Sequence, residues 1–172
     1  MQAPAVPTWQ QQAASWKHPQ GLPDFPLIDH NGQDFTLHRY ADDWLLVGFI
    51  FTRCPMQTAC PLTMQRMRAV RRDNPDLALL TLTFDPAYDT PDRLRAYGTK
   101  HDADWTLATG PQLLMRDTLP AMFNVLTLPD GPANYTHTVK VSLLAPGLVL
   151  HTDFKDNAFT PADVQRELAS RP

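Results

Sequence analysis

The stretch WLLVGFIFTRCPMQTACPLTMQRM, Trp44 to Met67, decides how this chain is read. Eight nearly continuous apolar residues, Trp44 to Phe51, suit a central strand covered on both faces. The run stops at Thr52. A short loop follows and holds both cysteines of the chain, Cys54 and Cys60, each followed by proline. Beyond Cys60 the pattern turns helical, with Leu62, Met67 and Val70 able to share one face. A buried strand therefore delivers two thiols to the mouth of a helix.

That placement favours thiolate chemistry. Cys60 precedes Pro61, which fits the first position of a helix, and backbone N–H groups there favour negative charge. Thiolates at helix N-termini ionise well below the ordinary value of about 8.5. Arg53 adds a nearby positive charge. A thiolate is both the nucleophile of disulfide exchange and the form that binds metal, so both functions stand open. Cys-x5-Cys can close a disulfide or place two sulfurs around one ion, and it is longer than the C-x-x-C of thioredoxins. A structural disulfide over so short a loop would stabilise little, which favours a chemical role.

Zinc fits poorly, because a structural site wants four N or S ligands and the chain has two cysteines. Two thiolates with one imidazole suit copper, as Cu(I) or Cu(II). His137 is the best third ligand among six histidines, lying in NYTHT just before the apolar segment VKVSLL. His18 is in the N-terminal tail, His30 and His38 flank a hairpin, His101 ends a helix and His151 falls on a solvent-facing strand position. Met64 and Met67 are expected in the core and Met56 in an exposed loop, where its thioether is at most an auxiliary contact. Asp85 and Asp89 read as turn or capping residues, and Asp85 is placed to hydrogen-bond a loop ligand from behind.

Outward from this stretch the elements alternate. Asn31-Gly32, between the short runs of PLIDHNGQDFTL, marks a β-hairpin. LALLTLTF (77–84) is a second buried strand. Thr90-Pro91 and Thr160-Pro161 open helices, each with a threonine cap and a proline at the first position. A helix interrupted by Pro120 is expected over 111–123, a turn-rich loop over 126–135, and a hairpin from VKVSLL through Pro146-Gly147 to LVLHTDF. Residues 1–22 read as a flexible linker and 23–172 as one α/β domain, a three-layer sandwich on a mixed sheet. The 17 prolines in 172 residues, about twice the average usage, imply many ordered loops. A net charge of −3, with no basic patch interleaved with aromatics, argues against nucleic acid as a partner. No apolar run reaches the roughly 18 residues of a membrane span. The first residues lack the charged and apolar regions of a signal peptide.

FTRCPMQTACPLT, TFDPAYDTPDRLRAY, WTLATG and YTHTVKVSLLAPG, in that order, resemble the Sco/SenC family of thioredoxin-fold copper proteins. The resemblance runs from about Phe25 to the last helix. It implies a thioredoxin-like core with an added N-terminal β-hairpin. It also implies a copper site of Cys54, Cys60 and His137, a periplasmic or membrane-anchored setting, and delivery of copper to a partner such as a cytochrome oxidase subunit. Some members are thought instead to act as thiol-disulfide reductases on partner thiol proteins, for which Cys54 and Cys60 would be the redox pair. A monomer is expected. The chain departs from the family's usual Cys-x3-Cys by two extra residues between the cysteines. A peroxidase is a third and weak reading, since Thr52 lies two residues before Cys54 and Gly48 stands where the peroxiredoxin motif needs proline.

Overall fold

Strand β3 (Leu45–Ile50) is buried at every position, as its unbroken apolar run requires. In the computed structural model, which describes residues 8–170, it is an inner strand of a seven-stranded sheet. The sheet order is β2-β1-β5-β4-β3-β8-β9, where β1 is Pro26–Asp29, β2 Asp34–Thr36, β4 Ala78–Thr83, β5 Thr106–Thr109, β8 Lys140–Ala145 and β9 Val149–Lys155. β3, β4 and β5 run parallel, and β1, β2, β8 and β9 join antiparallel, so the sheet is mixed as expected.

Helices cover both faces. Helix α2 (Cys60–Asp73) packs on β3 at Gly48, where a Cβ would stand 2.6 Å from the Met67 sulfur. The missing side chain lets the helix, and Cys60 with it, lie close to the sheet. Cys60, Thr63, Met64, Met67 and Val70 form the buried face, and Leu62 is only half-buried. Helix α3 (Pro91–Lys100) lies on the same face, with Gly98 against Leu107. Helix α5 (Pro161–Ala169) packs beside α2. On the opposite face, Phe49 meets Phe123 edge-on at 5.1 Å. Phe123 follows a π-helical turn (Leu114–Thr118) and helix α4 (Leu119–Met122), the segment that Pro120 was expected to interrupt.

The punctuation read from sequence holds. Asp29 accepts from the Asn31 and Gln33 N–H groups, and Gly32 adopts φ 77°, closing the hairpin of β1 and β2. Thr90 and Thr160 both cap their helices, Thr160 reciprocally with Asp163. Two segments differ from expectation. Strands β6 (Thr127–Pro129) and β7 (Tyr135–His137) form a second hairpin where a loop was read. Three-residue strands, one ending in proline, are too short to show alternation. Within the segment expected as a linker, helix α1 (Trp9–Ser15) is capped by Thr8, and Trp9 packs edge-on against Phe25 at 6.0 Å. Leu22 donates its N–H to the Leu148 carbonyl at 3.0 Å. Residues 1–7 of that expected linker lie outside the described residues.

Candidate metal centre

Three ligand-type side chains converge at the C-terminal edge of β3 and β4. The sulfurs of Cys54 and Cys60 and a ring nitrogen of His137 all lie within 4.8 Å of one another, the one such group of three among the described residues. Both cysteines are free. Cys60 is the first residue of α2 and fully buried, and Cys54 lies half-buried in the loop. His137 reaches the site from β7, so it stands on a strand rather than in a loop. Its Nδ1 lies 3.0 Å from the Thr138 carbonyl oxygen, which can only accept. Nδ1 therefore carries the proton, and Nε2 presents a lone pair toward Cys60 Sγ, 3.6 Å away. The ring rests against Phe84 (4.9 Å) and Phe51 (5.7 Å), both buried, which limits its rotation.

The acidity of the pair reverses the expectation. Cys54, not the helix-end Cys60, is the stronger acid, drawn down to about 4. Its main cause is the hydrogen bond from Cys60. Backbone hydrogen bonds at Cys60 and Met56 add to it and outweigh partial burial. Burial pushes the Cys60 thiol well above its ordinary value, and the neighbouring Cys54 charge adds to the rise. The helix N-terminus does not overcome the desolvation of a fully enclosed sulfur. Arg53 is also committed elsewhere. Its guanidinium pairs with Asp85 at 2.8 Å and stacks over Tyr88 at 4.1 Å, so its charge is spent away from the thiols.

Asp85, nearly fully buried, does not touch a ligand directly. It accepts from Arg53, next to Cys54, and from the Tyr135 hydroxyl at 3.2 Å, two residues before His137. It thus ties the cysteine loop to the histidine hairpin. Asp89 is buried beside it and accepts from Thr52 N–H (3.1 Å), the Thr52 hydroxyl and the Thr83 hydroxyl (2.6 Å). It pins the end of β3 to the end of β4, a role beyond capping.

The SCO1/SenC family model matches residues 14–171. This chain belongs to the SCO1/SenC family. A protein of Stutzerimonas stutzeri, whose name describes it as copper-binding, is 30% identical over 139 residues, covering 74% of this chain. The chain spans 65% of that relative and less than half of the other relatives it matches, such as the 43% it spans of the human mitochondrial SCO1 homologue. Among solved structures, copper-bound ScoI of Arabidopsis thaliana superposes with a TM-score of 0.74 at 17% identity, covering 87% of this chain and 98% of that one. BsSco, a member of the Sco family of cytochrome c oxidase assembly proteins in which a disulfide switch is identified, gives 0.71 at 20% identity, covering 90% and 95%. At these identities the likeness is one of fold.

The donor set of this SCO1/SenC chain fits a single soft ion. Two ligand atoms that share one metal at bonds of about 2.0–2.3 Å are at most about 4.6 Å apart. Here all three donor atoms lie within 4.8 Å of one another, and Cys60 Sγ and His137 Nε2 are 3.6 Å apart. Two sulfurs and one imidazole form a three-donor set too small for structural zinc and suited to copper. The other five histidines stand apart, His30 accepting from Leu107 N–H and His151 facing Glu167. Met56 is 60% exposed. Sequence reasoning missed Asn157, which is buried behind the cysteine loop. The Asp156-Asn157 pair signals a turn, but nothing local links it to residues almost a hundred positions away.

Proposed function

We propose that this chain is a copper chaperone that holds one copper ion between Cys54, Cys60 and His137 and passes it to a copper-accepting protein. The observation that carries this reading is the convergence of two sulfurs and one imidazole within 4.8 Å. Either Cu(I) or Cu(II) suits the set. The half-buried Cys54 gives an incoming ligand one sulfur to displace, while the enclosed Cys60 and the half-buried His137 retain the ion. Family membership and the likeness to BsSco support an acceptor such as a cytochrome oxidase subunit, in an extracytoplasmic setting. No helix among the described residues is long and apolar enough to cross a membrane.

The test is an anaerobic copper titration of the reduced protein. One tight equivalent with sulfur-to-copper charge-transfer bands supports the site. Failure to hold Cu(I) or Cu(II) overturns it.

A second reading is favoured by the asymmetry of the thiols: thiol-disulfide oxidoreduction. The half-buried Cys54 thiolate, the more accessible of the two, would attack a partner disulfide and release one partner thiolate. Cys60, losing its proton, would then displace the second. The partner gains two electrons, and this chain is left with a Cys54–Cys60 disulfide. His137 separates the readings, because disulfide exchange does not require an imidazole.

A further inference from the structure

The cysteine loop is held at one end by a residue that no local signal announces. Ala59, which precedes helix α2, has no side chain to cap it, and its backbone is neither extended nor helical (φ −105°, ψ −109°). It lacks the hydrogen bond that Ser, Thr, Asp or Asn supplies at a helix start. Asn157 supplies a clamp there instead. Its side chain is 1% exposed and lies between the loop and the helix. Nδ2 donates to the carbonyls of Ala59 (3.2 Å) and Thr58 (3.4 Å), and Oδ1 accepts from the Thr63 hydroxyl at 3.1 Å. The Asn157 carbonyl accepts from Arg66 Nε at 3.1 Å. Thr63 closes the knot by donating its N–H to the Ala59 carbonyl (2.9 Å), and its hydroxyl, 3.1 Å from that oxygen as well as from Asn157 Oδ1, shares one proton between the two.

The backbone that aims this side chain is itself special. Asp156 and Asn157 adopt φ 56° and 54°, the left-handed region that Asp and Asn tolerate best among residues with side chains. Ala158 N–H returns to the Lys155 carbonyl at 3.1 Å, making a tight turn at the end of β9. The other end is held as far as Arg53, by Asp89 at Thr52 and by Asp85 at Arg53, and between the two anchors Pro55 to Thr58 are exposed.

We propose that Asn157 is the positioning residue of Cys60. It latches the C-terminal end of the cysteine loop, so Cys60 stays fixed against His137 whatever the exposed segment 55–58 does. The copper readout below rests on the function proposed above; the thiol readout does not.

The experiment labels the reduced, copper-free full chain with iodoacetamide and follows each cysteine by mass spectrometry. Asn157→Asp keeps the shape and the turn but loses both Nδ2 donors. Asn157→Gly keeps the turn and loses the side chain. In the wild type Cys54 is labelled and Cys60 is protected. Both variants are expected to speed Cys60 labelling about tenfold or more, the scale of losing hydrogen bonds to buried groups, with Cys54 changed by less than about twofold. Val164→Ala on α5 is the control, since it lowers the melting temperature without touching the loop. Cys60 labelling in the Asn157 variants no faster than in wild type, or no faster than in that control at equal loss of melting temperature, overturns the latch. Should neither variant fold, Thr63→Val removes one bond of the knot and is expected to raise Cys60 labelling about threefold; no rise overturns the latch.

The second readout is the sulfur-to-copper charge-transfer band of the Cu(II)-loaded protein. It is expected to shift in Asn157→Asp and to stay in place in Val164→Ala. An unshifted band in Asn157→Asp counts against Asn157 acting on Cys60. A wild type that takes no copper overturns the copper reading and leaves the latch to be decided by alkylation.

Discussion

His137 Nε2 lies 3.6 Å from Cys60 Sγ across 77 positions of sequence, and its other ring nitrogen is held by the carbonyl of the next residue, Thr138. The ring is therefore a preset ligand with its lone pair aimed at the thiols. His137→Ala is expected to weaken Cu(II) binding about 100-fold or more, since loss of a mere outer partner of a ligand already costs about 10–100-fold. The Cys54–Cys60 disulfide should still form. Chelator competition and thiol counting on the same samples check both halves. Copper affinity close to wild type would remove His137 from the ligand set.

The two thiols should titrate far apart. Cys54 is drawn down to about 4, whereas burial raises Cys60. In the reduced, metal-free protein, alkylation of Cys54 should stay nearly flat from pH 8 to about 5 and fall as pH drops through about 4. An ordinary thiol slows about tenfold per unit throughout that range. The sign for stability follows. A depressed pKa contributes stability above the unfolded value near 9 that is lost as pH falls toward 4, while the raised Cys60 opposes folding as pH rises past its unfolded value. A Cys54 rate that falls from pH 8 like a free thiol would show that Cys60 does not stabilise its anion.

The features legible in the sequence are those whose physics is local or whose chemistry is rare. Asn31-Gly32, Thr90-Pro91 and Thr160-Pro161 act within a few residues and end up as read. Cys54, Cys60 and His137 stood out by residue type, and the fold brings them together. What the sequence hid depends on burial and distance. Arg53 next to a cysteine suggested a charge on the thiolate, but the fold gives that charge to Asp85. Cys60 at a helix start suggested the acidic thiol, but enclosure by the core reverses the order. The hairpin carrying His137 and the helix carrying Trp9 are each held by partners elsewhere, Tyr135 by Asp85 and Trp9 by Phe25, so no local period announces them.

Asp85 joins the two halves of the site through Arg53 and Tyr135. Asp85→Asn keeps the shape and removes the charge that pairs the guanidinium. Because Arg53 is partly exposed, with 28% of its side chain open, the cost stays below that of a fully buried pair. We expect about 2 kcal/mol, a drop in Tm of about 4–8 °C for a chain of this size. Copper affinity should fall as well, because both the Cys54 end of the loop and the His137 hairpin lose a common tether. Calorimetry with and without copper checks this. An unchanged Tm would mean that Asp85 is not such a tether.

Gly48 sets how closely helix α2 approaches the sheet, and so where Cys60 sits. A Cβ there would stand 2.6 Å from Met67 Sδ and 3.4 Å from the Thr63 methyl. Met67 is fully buried, and its sulfur accepts from the Thr81 hydroxyl at 3.6 Å, so the side chain has little room to yield. Gly48→Ala should therefore cost about 1–3 kcal/mol through overpacking, despite alanine's better fit to a strand backbone. In urea the midpoint should fall while the slope stays that of the wild type, because the unfolded chain exposes nearly the same surface. Relief is expected from shortening the opposing side chain: Met67→Val in the Gly48→Ala background should recover part of the loss. If Gly48→Ala is as stable as wild type, the close approach of α2 to β3 is not what holds Cys60 at the edge of the sheet.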